Sequence, residues 1–113
     1  MIEKPLTLPC GAEIPNRLCK AAMTEGLASP SGEPTPALNQ LYGIWSDGGA
    51  GLLLSGNVQI DGDHLERPGN VIVDREPPAK MQAALEAWAA AGTRAGNHFW
   101  AQISHAGRQC QKI

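Results

Sequence analysis

The chain reads as an α/β fold built on parallel strands, and three observations predict it. Apolar runs at residues 18–23, 50–55 and 98–103 alternate with two stretches whose apolar residues recur at helical spacing. The middle run, carrying Leu52, Leu53 and Leu54, lacks the polar alternation of a strand wet on one face, which is how a parallel strand covered on both faces reads. The resulting order of strand, helix, strand, helix, strand calls for parallel pairing through right-handed crossovers. At 113 residues the chain is a single unit, residues 1–113.

The elements follow in order. Residues 6–14 predict a small hairpin, with Leu6 and Leu8 on one arm, a turn at Pro9, Cys10 and Gly11, and Glu13 and Ile14 returning. Residues 18–23 are the first buried strand. Residues 25–36 have the Ser, Pro, Gly and Glu content of a loop. Thr35 before Pro36 is an N-cap with proline at the first helical position, and Leu38, Leu41, Tyr42 and Trp45 form one helical face that Gly48 and Gly49 terminate. Gly43 costs this helix about 1 kcal/mol relative to Ala, so its stability comes from packing. After the strand at 50–55, Gly56 and Asn57 turn into a long loop punctuated by Asp61, Gly62, Asp63, Pro68, Gly69 and Asn70. Pro77 and Pro78 open a second helix with Met81, Leu85, Trp88 and Ala91 or Gly92 on one face and Asp74 and Glu76 near its positive end. Gly96 and Asn97 lead to the strand at 98–103.

Net charge is −2 with 18% charged residues, and the basic residues form no stripe, which argues against nucleic acid or an acidic membrane as partner. The start of the chain lacks the apolar core of a signal peptide, and no apolar run approaches the roughly 20 residues of a membrane span; a cytoplasmic protein is expected. Cys10, Cys19 and Cys110 are odd in number and far apart, so neither a disulfide framework nor a metal site is expected. Cys19 reads as a structural thiol inside its apolar run, and Cys10 as the most reactive of the three.

In a parallel α/β arrangement ligands bind at the carboxyl ends of the strands. Those ends carry Met23 and Thr24, Gly56 and Asn57, and Gln102 through His105. A planar heterocycle with alternating donors and acceptors, such as the pyrimidine edge of a flavin, suits the amide of Gln102, which donates and accepts at once. Thr24 can donate to a ring carbonyl, and the backbone of Ala22 and Met23 can approach the ring closely. Each such residue also has a structural alternative as a satisfied hydrogen bonder, and His105 and Arg108 either pin the loop after the third strand or touch the ligand. His64 and His98 have no evident partner and read as structural. Gly48, Gly49 and Gly51 precede a strand, so they are turn glycines and form no dinucleotide fingerprint.

Three motifs in order, Asn16-Arg17 leading to Ala22-Met23-Thr24, Gly48-Gly49-Ala50-Gly51-Leu52, and Gln102-Ile103-Ser104-His105-Ala106-Gly107-Arg108, resemble the old yellow enzyme family of FMN-dependent NAD(P)H:flavin oxidoreductases. The resemblance implies the amino-terminal portion of a TIM (β/α)₈ barrel, about three β/α units plus an opening hairpin, because the whole barrel takes about 250 residues. It implies FMN as cofactor, NADH or NADPH as hydride donor, and a small electron-poor alkene or enone as substrate. Ala22, Met23, Thr24, Asn57 and Gln102 are the implied cofactor-binding residues. Many relatives have Pro where Ala22 stands and an acid where Gly56 stands. The family's substrate-binding His/His or His/Asn pair, proton-donating Tyr, and phosphate-binding Arg and glycine loop lie farther along than this sequence extends, so no catalytic residue is expected within it. A different reading is a non-catalytic truncated barrel module acting in binding or self-association.

Overall fold

The computed structural model describes residues 1–110. Strands β1 (Leu6–Thr7) and β2 (Glu13–Ile14) form the expected antiparallel hairpin, pairing Leu6 with Ile14 and Thr7 with Glu13. Its turn needs Gly11, which sits at a φ of +90° that side-chain-bearing residues rarely adopt.

The main sheet is wholly parallel. Strand β4 (Leu52–Gln59) is its spine. Strand β6 (His98–Ser104) runs along one edge of it, from Leu52↔His98 to Gln59↔Ser104. The other edge is shared: β3 (Cys19–Lys20) pairs with Leu52 and Leu53 at the start of β4, and β5 (Val71–Ile72) pairs with Val58 and Gln59 at its end. Two expectations change here. The first strand is only two residues long, and Cys19, Ala21 and Met23 are exposed while Lys20, Ala22 and Thr24 are half-buried. No described element covers the sheet face onto which the first three alternate, so Cys19, like Cys10, is exposed. Second, Gly56 and Asn57 are not a turn, because β4 runs through them to Gln59.

The helices form as their caps dictate. Thr35 accepts the Leu38 N–H through its hydroxyl and Pro36 opens α1 (Pro36–Asp47), which Gly48 closes. Helix α2 (Ala79–Thr93) follows Pro78. Both pack on one sheet face, where Leu38, Tyr42, Leu53, Val58, Val71, Met81 and Trp88 are buried together. The Tyr42 ring stacks on Phe99 at 4.8 Å and meets Trp45 and Trp88 edge-on at 5.0 and 5.3 Å. Gly92 has no side chain, which lets Phe99 lie against α2. None of the described helices is long and apolar enough to cross a membrane.

The ends of the helices are tied to the start of β6. The Ser46 hydroxyl donates to Asn97 Oδ1 at 2.5 Å and accepts the Ala95 N–H at 3.0 Å, while the Asn97 amide donates to the Gly92 carbonyl at 2.7 Å. Ser46 and Asn97 are both buried. Ser46→Ala therefore leaves the buried Asn97 Oδ1 and the Ala95 N–H without this partner, and urea unfolding should show a loss of about 1–3 kcal/mol.

Candidate functional site

The carboxyl end of the β4–β6 pair is shaped by a bulge. Between Leu54↔Trp100 and Asn57↔Gln102, β4 spends one residue more than β6. Ser55 repairs the interrupted ladder: its hydroxyl accepts the Gln102 N–H at 2.9 Å and donates to the Gly56 carbonyl at 2.7 Å. The extra residue resets the alternation, so Asn57, and not Gly56, shares a face with Gln102. That face is apolar in its first half, at Leu52, Leu54 and Trp100, and polar in its second, at Asn57, Gln59, Gln102 and Ser104. Gln59 donates from Nε2 to the Ser104 hydroxyl at 3.4 Å, and its buried Oε1 has no partner among the described residues.

Gly56 is the point at which residues 23–25 cross the sheet. A side chain there would collide with the Met23 carbonyl, the Glu25 carboxylate and Thr24 Cα. The crossing is pinned from below by Tyr42, whose hydroxyl accepts the Gly56 N–H at 3.1 Å and donates to Glu25 Oε2 at 3.1 Å. Burial first, and then the Glu25 charge, push the Tyr42 phenol up well beyond its ordinary range, so it remains a donor. Lys20 lies over the Trp45 ring at 4.4 Å and donates to the Leu54 carbonyl at 2.7 Å, with burial pulling its ammonium down.

Glu66 is the residue that the sequence reading missed. Its Oε2 accepts from Asn57 Nδ2 at 3.2 Å and from the Thr24 hydroxyl at 3.4 Å, and its Oε1 accepts two bonds from Arg67 at 3.2 Å. Burial raises the Glu66 carboxyl, but the bonds from Asn57 and Arg67 outweigh it and hold the group below its ordinary value. An acid in a loop rich in Gly, Pro and charge reads as solvated, and only the folding of that loop over the strand ends reveals its role.

The structure thus brings Thr24, Asn57 and Gln102 to one end of the sheet, with Ala22 and Met23 leading into it. Thr24 and Asn57 both donate to Glu66, whereas the Gln102 side chain is exposed and has no hydrogen-bond partner among the described residues. The histidines divide. His98 is structural, its Nε2 donating to the Glu13 carbonyl at 2.8 Å. His64 does have a partner, contrary to its reading from sequence: Asp61, 2.8 Å from its Nδ1, which also receives His105 Nε2 at 3.2 Å. His105 therefore pins its loop. Arg108 is exposed in the single 3-10 turn Gly107–Gln109.

Two measurements test this arrangement. Tyr42→Phe keeps the ring packing but leaves the buried Gly56 N–H unsatisfied, so equilibrium unfolding should register a loss of about 1–3 kcal/mol. Because the Glu66 value is depressed on folding, its contribution is complete above the ordinary 4.5 and disappears as pH falls through the lower folded value. The stability difference between the native chain and Glu66→Gln should accordingly be largest at neutral pH and vanish on acidification through that window. A difference independent of pH would remove Glu66 from the network.

No family model matches the chain. Among curated proteins it is 36% identical over 107 residues to the NADH-dependent flavin oxidoreductase iliE of Hypocrea jecorina, and 40% identical over 107 residues to the iliE protein of a Neonectria species. These alignments take in 94% of this chain but 27% and 14% of the relatives, so the chain spans about a quarter or less of their length. Among solved structures, morphinone reductase matches with a TM-score of 0.81 at 22% identity, covering 97% of this chain and 28% of that one. The old yellow enzyme homologue of Zymomonas mobilis matches with a TM-score of 0.76 at 23% identity, covering 92% and 28%. The parallel sheet with its helices on one face is one part of the (β/α)₈ barrel of these enzymes. The chain is thus similar in sequence to one portion of NADH-dependent flavin oxidoreductases, and in fold to one portion of the old yellow enzyme barrel.

Proposed function

We propose that the chain supplies the part of an FMN-dependent NAD(P)H oxidoreductase that holds the polar edge of the flavin ring. The observation that carries this reading is the Gln102 amide, exposed and unpaired among the described residues, beside Asn57 at the carboxyl end of a parallel sheet. An amide with both a free donor and a free acceptor fits the alternating edge of a flavin pyrimidine. The names of the curated relatives, NADH-dependent flavin oxidoreductases, support the same cofactor class.

Bound FMN supplies two-electron chemistry, here hydride from NADH or NADPH to a small electron-poor alkene or enone. The chain's own residues orient and tune. Gln102 holds the pyrimidine edge. The backbone of Ala22 and Met23, fixed by the crossing over Gly56, borders the ring. Thr24 reaches a ring carbonyl by giving up its 3.4 Å bond to Glu66, which is long and therefore weak. Asn57 keeps Glu66 in place while Thr24 turns. No catalytic group is assigned within residues 1–113, and the cytoplasm is the proposed compartment.

One observation favours a second reading, a non-catalytic module that associates with itself. Ile103 is 62% exposed and Trp100 42% exposed on β6, whose outer edge has no strand partner among the described residues.

Fluorescence titration with FMN and size-exclusion chromatography separate the two. On the first reading FMN binds and Gln102→Ala weakens it, while Thr24→Ala lowers the potential of the bound flavin by about 20 mV for each kcal/mol of hydroxyl bond lost to the reduced ring. Absence of FMN binding together with a concentration-dependent oligomer selects the second.

A further inference from the structure

We propose that Asp61, His64 and His105 form a binding site for a divalent transition-metal ion of the zinc class. The site is independent of the flavin reading. It arises from the register of the sheet. Because Gln59 pairs with Ser104, and the Ile60 N–H continues that ladder to the Ser104 carbonyl at 3.1 Å, the chain leaves β4 and β6 side by side. Asp61 and His105 are thereby neighbours across the two strand ends. His64 is added by a tight turn in which Asp61 Oδ1 accepts the Asp63 N–H at 2.9 Å and the Asp61 carbonyl accepts the His64 N–H at 3.3 Å.

The three side chains converge on one point. Asp61 Oδ2 lies 2.8 Å from His64 Nδ1 and 3.2 Å from His105 Nε2, and all three ligand atoms fall within 4.8 Å of one another. The two imidazoles face each other, with centroids 6.0 Å apart and planes 28° from parallel, so each turns one nitrogen edge toward the same carboxylate. Ligands about 2.0–2.1 Å from a tetrahedral ion stand roughly 3.3 Å from each other. The two separations from Asp61 approach that spacing, and the two imidazole nitrogens lie within 4.8 Å of each other.

The donor set decides the kind of ion. Two imidazole nitrogens and one carboxylate oxygen leave a fourth position open, the pattern of zinc sites with three protein ligands, whereas magnesium and calcium take oxygen ligands. The side chains of Asp61, His64 and His105 are 33%, 58% and 44% exposed, so an ion reaches them without any opening motion.

Binding is coupled to the loop after β6. The Gly107 N–H donates to His105 Nδ1 at 2.9 Å, so the proton of the neutral ring sits on Nε2 and points at Asp61. An ion taking Nε2 sends that proton, through water, to Nδ1, and Gly107 must turn its N–H away. Glycine at a φ of +54° has the backbone freedom to do so.

The test uses the chain with Cys10, Cys19 and Cys110 replaced by Ser, stripped with a chelator and titrated with ZnCl₂, CoCl₂ and MgCl₂. One equivalent of zinc should bind, cobalt should develop the visible absorption of a tetrahedral site, and magnesium should have no effect. His64→Ala, His105→Ala and Asp61→Asn should each weaken zinc by about tenfold or more, while His98→Ala, whose histidine is held by the Glu13 carbonyl, should not. All four positions are at least partly exposed, and circular dichroism of each variant verifies its fold. Zinc affinity unchanged in His64→Ala and His105→Ala, or a magnesium response equal to that of zinc, would overturn the proposal and leave the cluster as a hydrogen-bonded latch.

Discussion

Tyr42 is the side chain on which the rest of the molecule depends, because it belongs at once to the core and to the site. Its ring has no exposed surface and sits among Trp45, Trp88 and Phe99, joining α1 to α2 and β6. Its hydroxyl, at the far end of the same rigid group, bridges the Gly56 N–H and the Glu25 carboxylate. Repacking the aromatic cluster by even a fraction of an ångström would move the crossing of residues 23–25 over β4. Close packing thus becomes positional precision at the strand ends, since interiors packed at crystalline density transmit displacement and do not absorb it.

A second constraint is the one-residue bulge. Without it, alternation along β4 would turn Gly56 toward Gln102 and send the Asn57 amide toward the helices, where an amide without a partner costs free energy. With it, the apolar half of the face ends at Leu54 and Trp100 and the polar half begins at Asn57 and Gln102. Ser55 makes the irregularity tolerable by satisfying the Gln102 N–H with its hydroxyl.

Much of this could be read in the sequence, for identifiable reasons. The helices were legible because Thr35-Pro36, Gly48 and the prolines at 77 and 78 mark boundaries by local chemistry, and Tyr42 and Trp88 fall on periodic faces. The carboxyl-end location of Thr24, Asn57 and Gln102 followed from chain direction alone. What escaped depends on contacts distant in sequence. Strand β5 was hidden in a turn-rich loop, although Val71, Ile72 and Val73 carry the β-branched signal, because a two-residue strand exists only through its partner Val58-Gln59. The bulge converts an apparent Gly-Asn turn into strand. The first strand looked buried because its residues are apolar, yet apolar composition fixes what a face prefers and not whether another element covers it. Glu66 and the Asp61, His64 and His105 cluster are assembled by loops that have no periodicity to read.

On the flavin reading proposed above, the Glu66 contacts would also define how the chain tunes a bound ring. Thr24 has a single hydroxyl proton, and the folded chain directs it toward Glu66 Oε2. A ring carbonyl must compete for that proton with a carboxylate that Asn57 and Arg67 keep ionised, and a charged acceptor is the stronger one at equal geometry. Geometry is not equal here: the Thr24 bond is 3.4 Å long while that from Asn57 is 3.2 Å, so Glu66 is satisfied chiefly by the other two residues and holds Thr24 loosely. If a flavin were bound as proposed, the carbonyl of its reduced ring would carry more negative charge and be the better acceptor, and the Thr24 hydroxyl would have reason to turn toward it in that state and not before. On the flavin reading, a weak, displaceable bond to Glu66 is what would allow Thr24 to distinguish two oxidation states. A tight bond would have frozen the hydroxyl in one position and removed that discrimination.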